Sequence, residues 1–244
     1  MAQLPPVVAR MWDREPTTRR GPRPRLDLAT ITTAAIEIAD TEGLAAVSMG
    51  NVAAQVGVAP MALYRYVGSK DELLTVMADS AVPPPPERGD LSWRAYLATW
   101  TRLTRDLLLS RPWLLDLRQD TPPMGPRRLL WLDRALDALS GTGLDDGQKF
   151  NAATALTGYA LTSATLTRSL GAGGEEFAAG ARGAAEYGEI LTEVLDPATY
   201  PALSAMMRSG LLGDSTGWTE DADFRFGLDL LLDGIEALIA RSAR

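Results

Sequence analysis

The chain contains neither cysteine nor histidine. Without cysteine it can form no disulfide, no thiolate metal site and no cysteine nucleophile. Without histidine it also lacks the commonest general base and the commonest metal ligand of proteins. Most hydrolase triads and zinc sites are therefore excluded, and any enzyme chemistry would have to rest on carboxylates, lysine or tyrosine.

Long apolar runs are also missing. No stretch of 18 or more apolar residues occurs, and the N-terminus has no apolar run of the secretory type. We therefore expect no membrane span and a cytoplasmic protein. The 244 residues, 46% hydrophobic and 23% charged, have an ordinary globular composition and suffice for one or two domains.

Positive charge is scarce and unevenly distributed. The formal net charge is −7, which taken alone argues against a nucleic-acid partner. Residues 10–25 nevertheless carry six arginines against two acidic residues, whereas residues 26–80 carry two basic residues against seven acidic ones. Five prolines accompany the arginines in residues 1–25, so we interpret this segment as a basic flexible arm, mostly extended or disordered. A solvated tail without function is the alternative.

Short helices follow the arm, each marked by a capping residue. Asp27 can cap a helix whose apolar residues recur at the i, i+3, i+4 spacing. Ser48 caps a shorter helix that Gly57 terminates, and Ser69 caps a later one. Between them a helix is predicted from residue 59 or 60 to residue 66.

A run of four prolines marks the boundary between two predicted domains. It opens the segment 83–90, which separates a small helical domain at 26–82 from residues 91–244. The second part shows helical patterns throughout, and no strand pattern rises above noise. The predicted fold class is all-α, with a three-helix N-terminal domain followed by a helical bundle.

The two short helices on either side of Gly57 fit a helix-turn-helix, whose second helix can enter the major groove of DNA. Glycine readily adopts the turn conformation that other residues resist. Tyrosine hydroxyls and the ammonium of Lys70 are suitable donors to phosphates. Spacing alone leaves a hairpin of two core helices as an alternative.

A longer segment carries a resemblance to a known family. Residues 31–74, ITTAAIEIADTEGLAAVSMGNVAAQVGVAPMALYRYVGSKDELL, closely resemble the DNA-binding domain of TetR-type transcriptional repressors. The family-specific frame is formed by Gly57, Val58, Leu63, Tyr64, Val67, Lys70 and Leu73. Residues 224–239, FRFGLDLLLDGIEALI, resemble more weakly the final dimerisation helix of the tetracycline-repressor type of effector domain.

The resemblance implies a ligand-responsive DNA-binding regulator without a cofactor or metal. Its simplest form is a homodimeric repressor that a small amphipathic organic effector releases from a palindromic double-stranded operator. In this family the positions of Tyr64 and Tyr66 contact the DNA backbone, and that of Lys70 contacts a phosphate. The full set of DNA-binding residues predicted within the domain is Ser48, Pro60, Met61, Ala62, Tyr64, Arg65, Tyr66 and Lys70.

This sequence departs from the family pattern on its reading face. Gly50 stands where a base-reading Arg or Lys is common, and Met61 and Ala62 offer only apolar contacts to thymine methyl groups. Direct readout of bases is therefore expected to be weak. We hypothesise that arginines of the arm compensate by lying along phosphates or entering the minor groove, as homeodomain arms do. These arginines are Arg19, Arg20, Arg23 and Arg25.

The second domain is expected to hold the effector and the dimer interface. A long helix from Asp146 carries five small residues that permit close helix approach, and with residues 224–239 it would form a four-helix interface between two subunits. The small residues are Ala152, Ala153, Ala155, Ala160 and Ala164. The predicted effector contacts are Trp100, Trp113, Met124, Trp131, Phe150, Thr154, Thr157, Leu161 and Phe177. Ordinary core packing, with threonines bonded to their own helix carbonyls, is the alternative for each of them.

Two other functions stay open. A carboxylate-based helical enzyme would need the acidic pairs Asp71/Glu72 or Asp145/Asp146, but both stand where helix N-termini favour acids. A regulator of the same fold that senses a protein partner, or nothing, is the nearer alternative. The shortage of basic residues in the predicted pocket disfavours a metal-chelated or highly anionic effector.

Overall fold

The computed structural model describes residues 4–14, 26–117, 124–169, 187–209 and 220–242. In these ranges every regular element is a helix, which confirms the all-α class. The chain forms two compact units. The first is Met1–Glu87 with Arg111–Asp137, and the second is Arg88–Ser110 with Ala138–Arg244.

The first unit is built from short helices. They are α1 (Pro6–Met11), α2 (Leu28–Glu42), α3 (Met49–Gln55), α4 (Pro60–Leu63), α5 (Lys70–Ser80) and α7 (Pro126–Ala138), with single 3-10 turns at Leu44–Ala46 and Pro112–Asp116. The second unit has longer ones. They are α6 (Trp93–Ser110), α8 (Asp146–Ser169), α9 (187–194), α10 (Pro201–Arg208) and α11 (Glu220–Ser242).

The capping residues predicted from the sequence begin the helices of the first unit. Asp27 accepts a hydrogen bond from the N–H of Thr30 at 2.8 Å, and the hydroxyls of Ser48 and Ser69 each accept one at 3.1 Å three residues on. Each cap stabilises its helix by about 1 kcal/mol. Local chemistry therefore sets where α2, α3 and α5 start.

The core of the first unit lies between α2, α3 and α5. Ile31 of α2, Val52 of α3, Leu63 of α4, and Leu73 and Met77 of α5 are all inaccessible to solvent. Within α2, the buried residues Ile31, Ala34, Ala35 and Ile38 follow the i, i+3, i+4 spacing from which that helix was predicted. Burial of these side chains fixes the angle at which α3 and α4 meet.

The beginning of the arm differs from the extended segment that its prolines suggest. Residues 6–11 form α1, whose Val7 and Val8 are buried against Val76 of α5. Pro6 is compatible with this helix because it occupies the first turn, where its missing N–H is not needed. Residues 15–25, with Arg19, Arg20, Arg23 and Arg25, lie outside the described residues.

Residues 111–137 belong to the first unit although they follow the proline run. The indole N–H of Trp113 donates to Asp40 of α2 at 2.7 Å, and Arg111 donates to the carbonyl of Ala81 at 2.8 Å. The indole N–H of Trp131 donates to the carbonyl of Pro83 at 2.7 Å. The compact units therefore differ from a single cut at 83–90, and the division into 26–82 and 91–244 stays a prediction.

Asp79, at the end of α5, caps α7 from a distance in sequence. Its buried carboxylate accepts the backbone N–H groups of Arg127 at 3.2 Å and Arg128 at 2.9 Å, in the first turn of α7. A Cβ at Gly125 would collide with this carboxylate. Burial lowers the pKa of Arg128, and the charge of Asp79 opposes that shift.

Replacing Asp79 with alanine is expected to lower the free energy of unfolding by about 2 kcal/mol, because two buried N–H groups lose a charged acceptor. Urea denaturation with an unchanged m-value measures this. The control is Asp133→Ala on α7, the helix that Asp79 caps. It removes an exposed ion pair to Arg134 and should lower the free energy of unfolding by less than about 0.5 kcal/mol. Equal small effects of the two substitutions would contradict the capping role.

In the second unit, α8 packs against α6 and α11. Four of its small residues are buried within the subunit, namely Ala152, Ala153, Ala160 and Ala164, whereas Ala155 is exposed. The close approach that these residues permit is therefore used inside one chain. Tyr159 of α8 stacks on Phe224 of α11, with ring centroids 5.3 Å apart, and fills the space that Gly227 leaves open.

Candidate DNA and effector sites

The helix-turn-helix is formed by α3 and α4. Gly57 stands between them with φ at 72°, in the left-handed region that glycine occupies without strain. The N–H of Val58 donates to the carbonyl of Ala53 at 2.9 Å and closes the turn. The second helix is regular only over Pro60–Leu63, and a bond from the N–H of Tyr66 to the carbonyl of Leu63 at 2.8 Å continues it as a tighter turn.

The residues predicted to meet DNA lie mostly on the surface of this element. Met61 is 75% exposed and Tyr64 44%, and Arg65 and Lys70 are exposed as well. Of the other predicted DNA contacts within the domain, Pro60 is exposed, and Ser48, Ala62 and Tyr66 are half-buried. Leu63 and Val67 are fully buried and hold the element to the core.

The position of Gly50 on α3 is open. A Cβ there would meet only the hydroxyl oxygen of Ser48, at the ordinary contact distance of 3.8 Å. The missing side chain is therefore not required by packing within the subunit. The weak base readout predicted from Gly50 therefore reflects the residue type at this position and not a lack of space for a side chain.

One residue near the helix-turn-helix was missed by sequence reasoning. The guanidinium of Arg10 donates to the carbonyl of Tyr66 at 2.8 Å and lies 3.7 Å from the carboxylate of Glu72. The sequence showed only an arginine among prolines, with no signal that its segment would fold back onto α5.

The predicted effector residues are divided between the two units. The first unit contains buried Trp113 and Trp131 and the exposed Met124. The second unit contains buried Trp100, exposed Phe150, Thr154 and Thr157, and half-buried Leu161. Phe177 lies outside the described residues. The role of all nine in ligand binding stays a prediction.

The threonines of α8 bond to their own helix, as the alternative of ordinary packing predicts. The hydroxyl of Thr154 donates to the carbonyl of Phe150, and that of Thr157 to the carbonyl of Ala153, both at 2.9 Å. Each hydroxyl oxygen keeps lone pairs that can accept from a ligand. The two threonines are therefore acceptors on an exposed face of α8.

A buried cation in the second unit was also missed. Arg105 of α6 is 2% exposed, and its guanidinium lies 4.7 Å from the centre of the Phe224 ring, a cation–π contact. The signal for its burial was present, because Arg105 follows buried Leu97 and Thr101 at successive intervals of four residues. The charge of Arg105 also acts on Tyr159, whose pKa is raised by burial and lowered in part by this charge. The hydroxyl of Tyr159 donates to the carbonyl of Phe224 at 2.9 Å.

The described residues show neither a membrane-spanning helix nor a cluster of metal ligands. Among the helices of the described ranges, none has both the length and the apolar character needed to span a membrane. Across those same ranges, no three acidic side chains cluster as metal ligands would.

Comparison with known proteins identifies the family of this chain. Residues 31–77 match the family described as bacterial regulatory proteins, tetR family, and residues 84–239 match the tetracyclin repressor-like C-terminal domain. The chain is 35% identical over 241 residues to the HTH-type transcriptional repressor DrrR1 of Streptomyces coeruleorubidus, covering 95% of this chain and 85% of that one. The protein belongs to the TetR family of transcriptional regulators.

Solved structures of the family resemble this TetR-family chain over most of its length. ActR of Streptomyces coelicolor without ligand is 27% identical and superposes with a TM-score of 0.71, covering 91% of this chain and 100% of ActR. ActR in complex with actinorhodin is 26% identical with a TM-score of 0.70, covering 88% and 98%. The family assignment confirms the predicted helix-turn-helix architecture and the prediction that the protein is a DNA-binding regulator rather than an enzyme.

Proposed function

We propose that this protein is a homodimeric cytoplasmic repressor that a small organic effector releases from a palindromic operator. The observation that carries the proposal is a helix-turn-helix with exposed Met61 and Tyr64 in a chain that superposes on ActR, a protein whose structure was solved in complex with actinorhodin. The similarity to a protein named as a repressor supports the direction of control.

The geometry supports docking on DNA through the phosphate backbone. Tyr64, Tyr66 and Lys70 flank the end of α4 and the start of α5, and hydroxyl and ammonium groups are good phosphate donors. Met61 of α4, which is 75% exposed, would meet a thymine methyl group. Specificity is therefore expected to come partly from the spacing of two half-sites.

A homodimer is supported by apolar side chains left uncovered on one chain. Phe226 and Leu230 of α11 are 70% and 59% exposed, one helical turn apart, and Leu166 of α8 is 56% exposed. A patch of this kind on a soluble domain suits a protein partner. A two-fold dimer would present two copies of α4 about 34–36 Å apart, one turn of B-DNA.

The effector is proposed to be a bulky, partly polar organic molecule held in the second domain. Aromatic Trp100 and Phe150 offer apolar walls, and Thr154 and Thr157 offer acceptors. The ligand releases the operator if it binds more tightly to a dimer conformation in which the spacing of the two copies of α4 no longer fits the major groove.

Anisotropy of a labelled duplex tests the proposal. The duplex is the one that the purified protein selects from a randomised library, and it is challenged with a panel of neutral and acidic aromatic compounds. An effector should release the duplex and raise the thermal midpoint without DNA, by the equivalent of about 2.7 kcal/mol at a hundred times its dissociation constant. A selected duplex that no compound releases, with no thermal shift, would favour regulation by a protein partner or by none.

A further inference from the structure

Helix α1 lies outside the segment that matches the family's DNA-binding domain, which begins at residue 31. A helix of six residues is not stable in water by itself. Here it is held by Val7 and Val8, which are 8% and 6% exposed and pack on Val76 of α5. Helix α1 is therefore part of the first unit although it precedes the matched segment.

The C-terminal end of α1 is tied to other elements of the first unit at two points. Past its C-terminus, the indole N–H of Trp12 donates to the carbonyl of Met124 at 2.8 Å. Within its last turn, Arg10 donates to the carbonyl of Tyr66 at 2.8 Å. Because the helix is fixed at two points, the Arg10 side chain is held in place before any DNA arrives.

Arg10 bonds to the turn that separates the predicted DNA contacts. This turn, residues 66–69, begins with Tyr66, follows Tyr64 and precedes Lys70. The carboxylate of Glu72, 3.7 Å from Arg10, accepts the N–H of Gly68 at 2.7 Å. Arg10 and Glu72 together hold one carbonyl and one N–H of the same turn.

We propose that Arg10 is a positioning residue for operator binding, which sets the angle between α4 and α5 and so the relative placement of Tyr64, Tyr66 and Lys70. The inference rests on the proposed operator binding by those three residues. Its side chain is only 21% exposed and donates to Tyr66, so Arg10 acts through the protein backbone and not as a phosphate contact.

Replacing Arg10 with methionine in the full-length chain tests the proposal. Methionine keeps the unbranched stem and removes the charge and the donors. The matched control is Arg14→Met, which removes the same charge from an exposed side chain just beyond α1. Two probes are used over a series of salt concentrations: the duplex that the wild-type protein selects from a randomised library, and a scrambled duplex of equal length.

We expect Arg10→Met to weaken binding of the selected duplex about tenfold relative to Arg14→Met, the order of one charge-assisted hydrogen bond. Affinity for the scrambled duplex should fall less than that for the selected duplex, because phosphate contacts on non-specific DNA tolerate looser placement of the side chains. The salt slope should match that of the control, because Lys70 keeps its charge and Arg10 itself contacts no phosphate. A slope that falls by about 0.9 more than in the control would show a direct phosphate contact and overturn the proposal. Unchanged operator affinity with a lower thermal midpoint would show a purely structural role and overturn it as well.

Two further variants keep the test decisive if Arg10→Met folds poorly. Arg10→Lys retains a donor for Tyr66 and should restore much of the operator affinity, whereas Glu72→Gln breaks only the ion pair. Operator affinities of Arg10→Lys, Glu72→Gln and the double variant should be non-additive, because both residues hold one turn. Additive effects would overturn the proposal. Selection of a duplex by the wild-type protein reports separately on the proposed function.

Discussion

Replacing Arg19, Arg20, Arg23 and Arg25 together with glutamine is expected to weaken operator binding roughly a thousandfold at about 0.15 M salt, if all four meet phosphates. The salt slope is the slope of the logarithm of the binding constant against the logarithm of the salt concentration. Each phosphate that the protein neutralises contributes about 0.9 to its magnitude, which corresponds to about fivefold in affinity at this salt concentration. The effect is large because residues 26–80 contain only two basic residues against seven acidic ones. We therefore expect much of the positive charge that meets DNA to come from the arm.

Operator titrations over a salt series measure this prediction. The salt slope should become shallower by about 3.6 in the fourfold variant and by about 0.9 in Lys70→Gln, which serves as a reference for one contact. An unchanged slope in the fourfold variant would identify the arm as a passive tail. Substitution is preferable to deletion of residues 1–22, because deletion also removes α1 with its buried Val7 and Val8.

Placing glutamate at both Phe226 and Leu230 is expected to convert the dimer to a monomer and to reduce operator affinity more than a hundredfold. These side chains are the most exposed large apolar residues of α11 in the described structure. In a two-fold interface each glutamate would lie near the same substitution in the partner, and burial of like charges is costly. A monomer binds one half-site and loses the gain from the second, which is typically a factor of about 10²–10⁴.

Sedimentation and operator titration measure the two halves of this prediction. The control is Leu91→Glu, which charges an exposed apolar residue of the same unit outside α8 and α11. It should leave both the mass and the affinity unchanged. A double variant of α11 that stays dimeric would place the subunit interface elsewhere.

Much of the helix-turn-helix was predictable because its determinants are local. Ser48 and Ser69 are caps whose partners lie three residues away, and Gly57 is required by a turn within its own neighbours. Exposure of Met61 and Tyr64 followed from the same helical spacing that buries Leu63. Residues within one or two turns of each other decide these features.

The effector region was less predictable because its members meet only through the tertiary fold. Trp113 and Trp131 suggested pocket walls by size and apolarity, but in the structure their indole N–H groups bond to Asp40 and to the carbonyl of Pro83. Arg105 was not singled out from the sequence, and in the structure it is buried against Phe224. Composition cannot show which aromatic or charged residues share a core.

The sequence by itself determined α2, α3 and α5, their caps, the turn at Gly57 and the family, because each depends on residues close together in the chain. Only the tertiary structure decided that α1 forms at all and that Arg10 reaches the carbonyl of Tyr66. It also decided that Asp79 caps a helix that begins 47 positions later at Pro126. The physical reason is that a short helix such as α1, a half-buried charge such as that of Arg10 and a cap that is distant in sequence are each unfavourable alone. They become stable only against partners that folding brings to them.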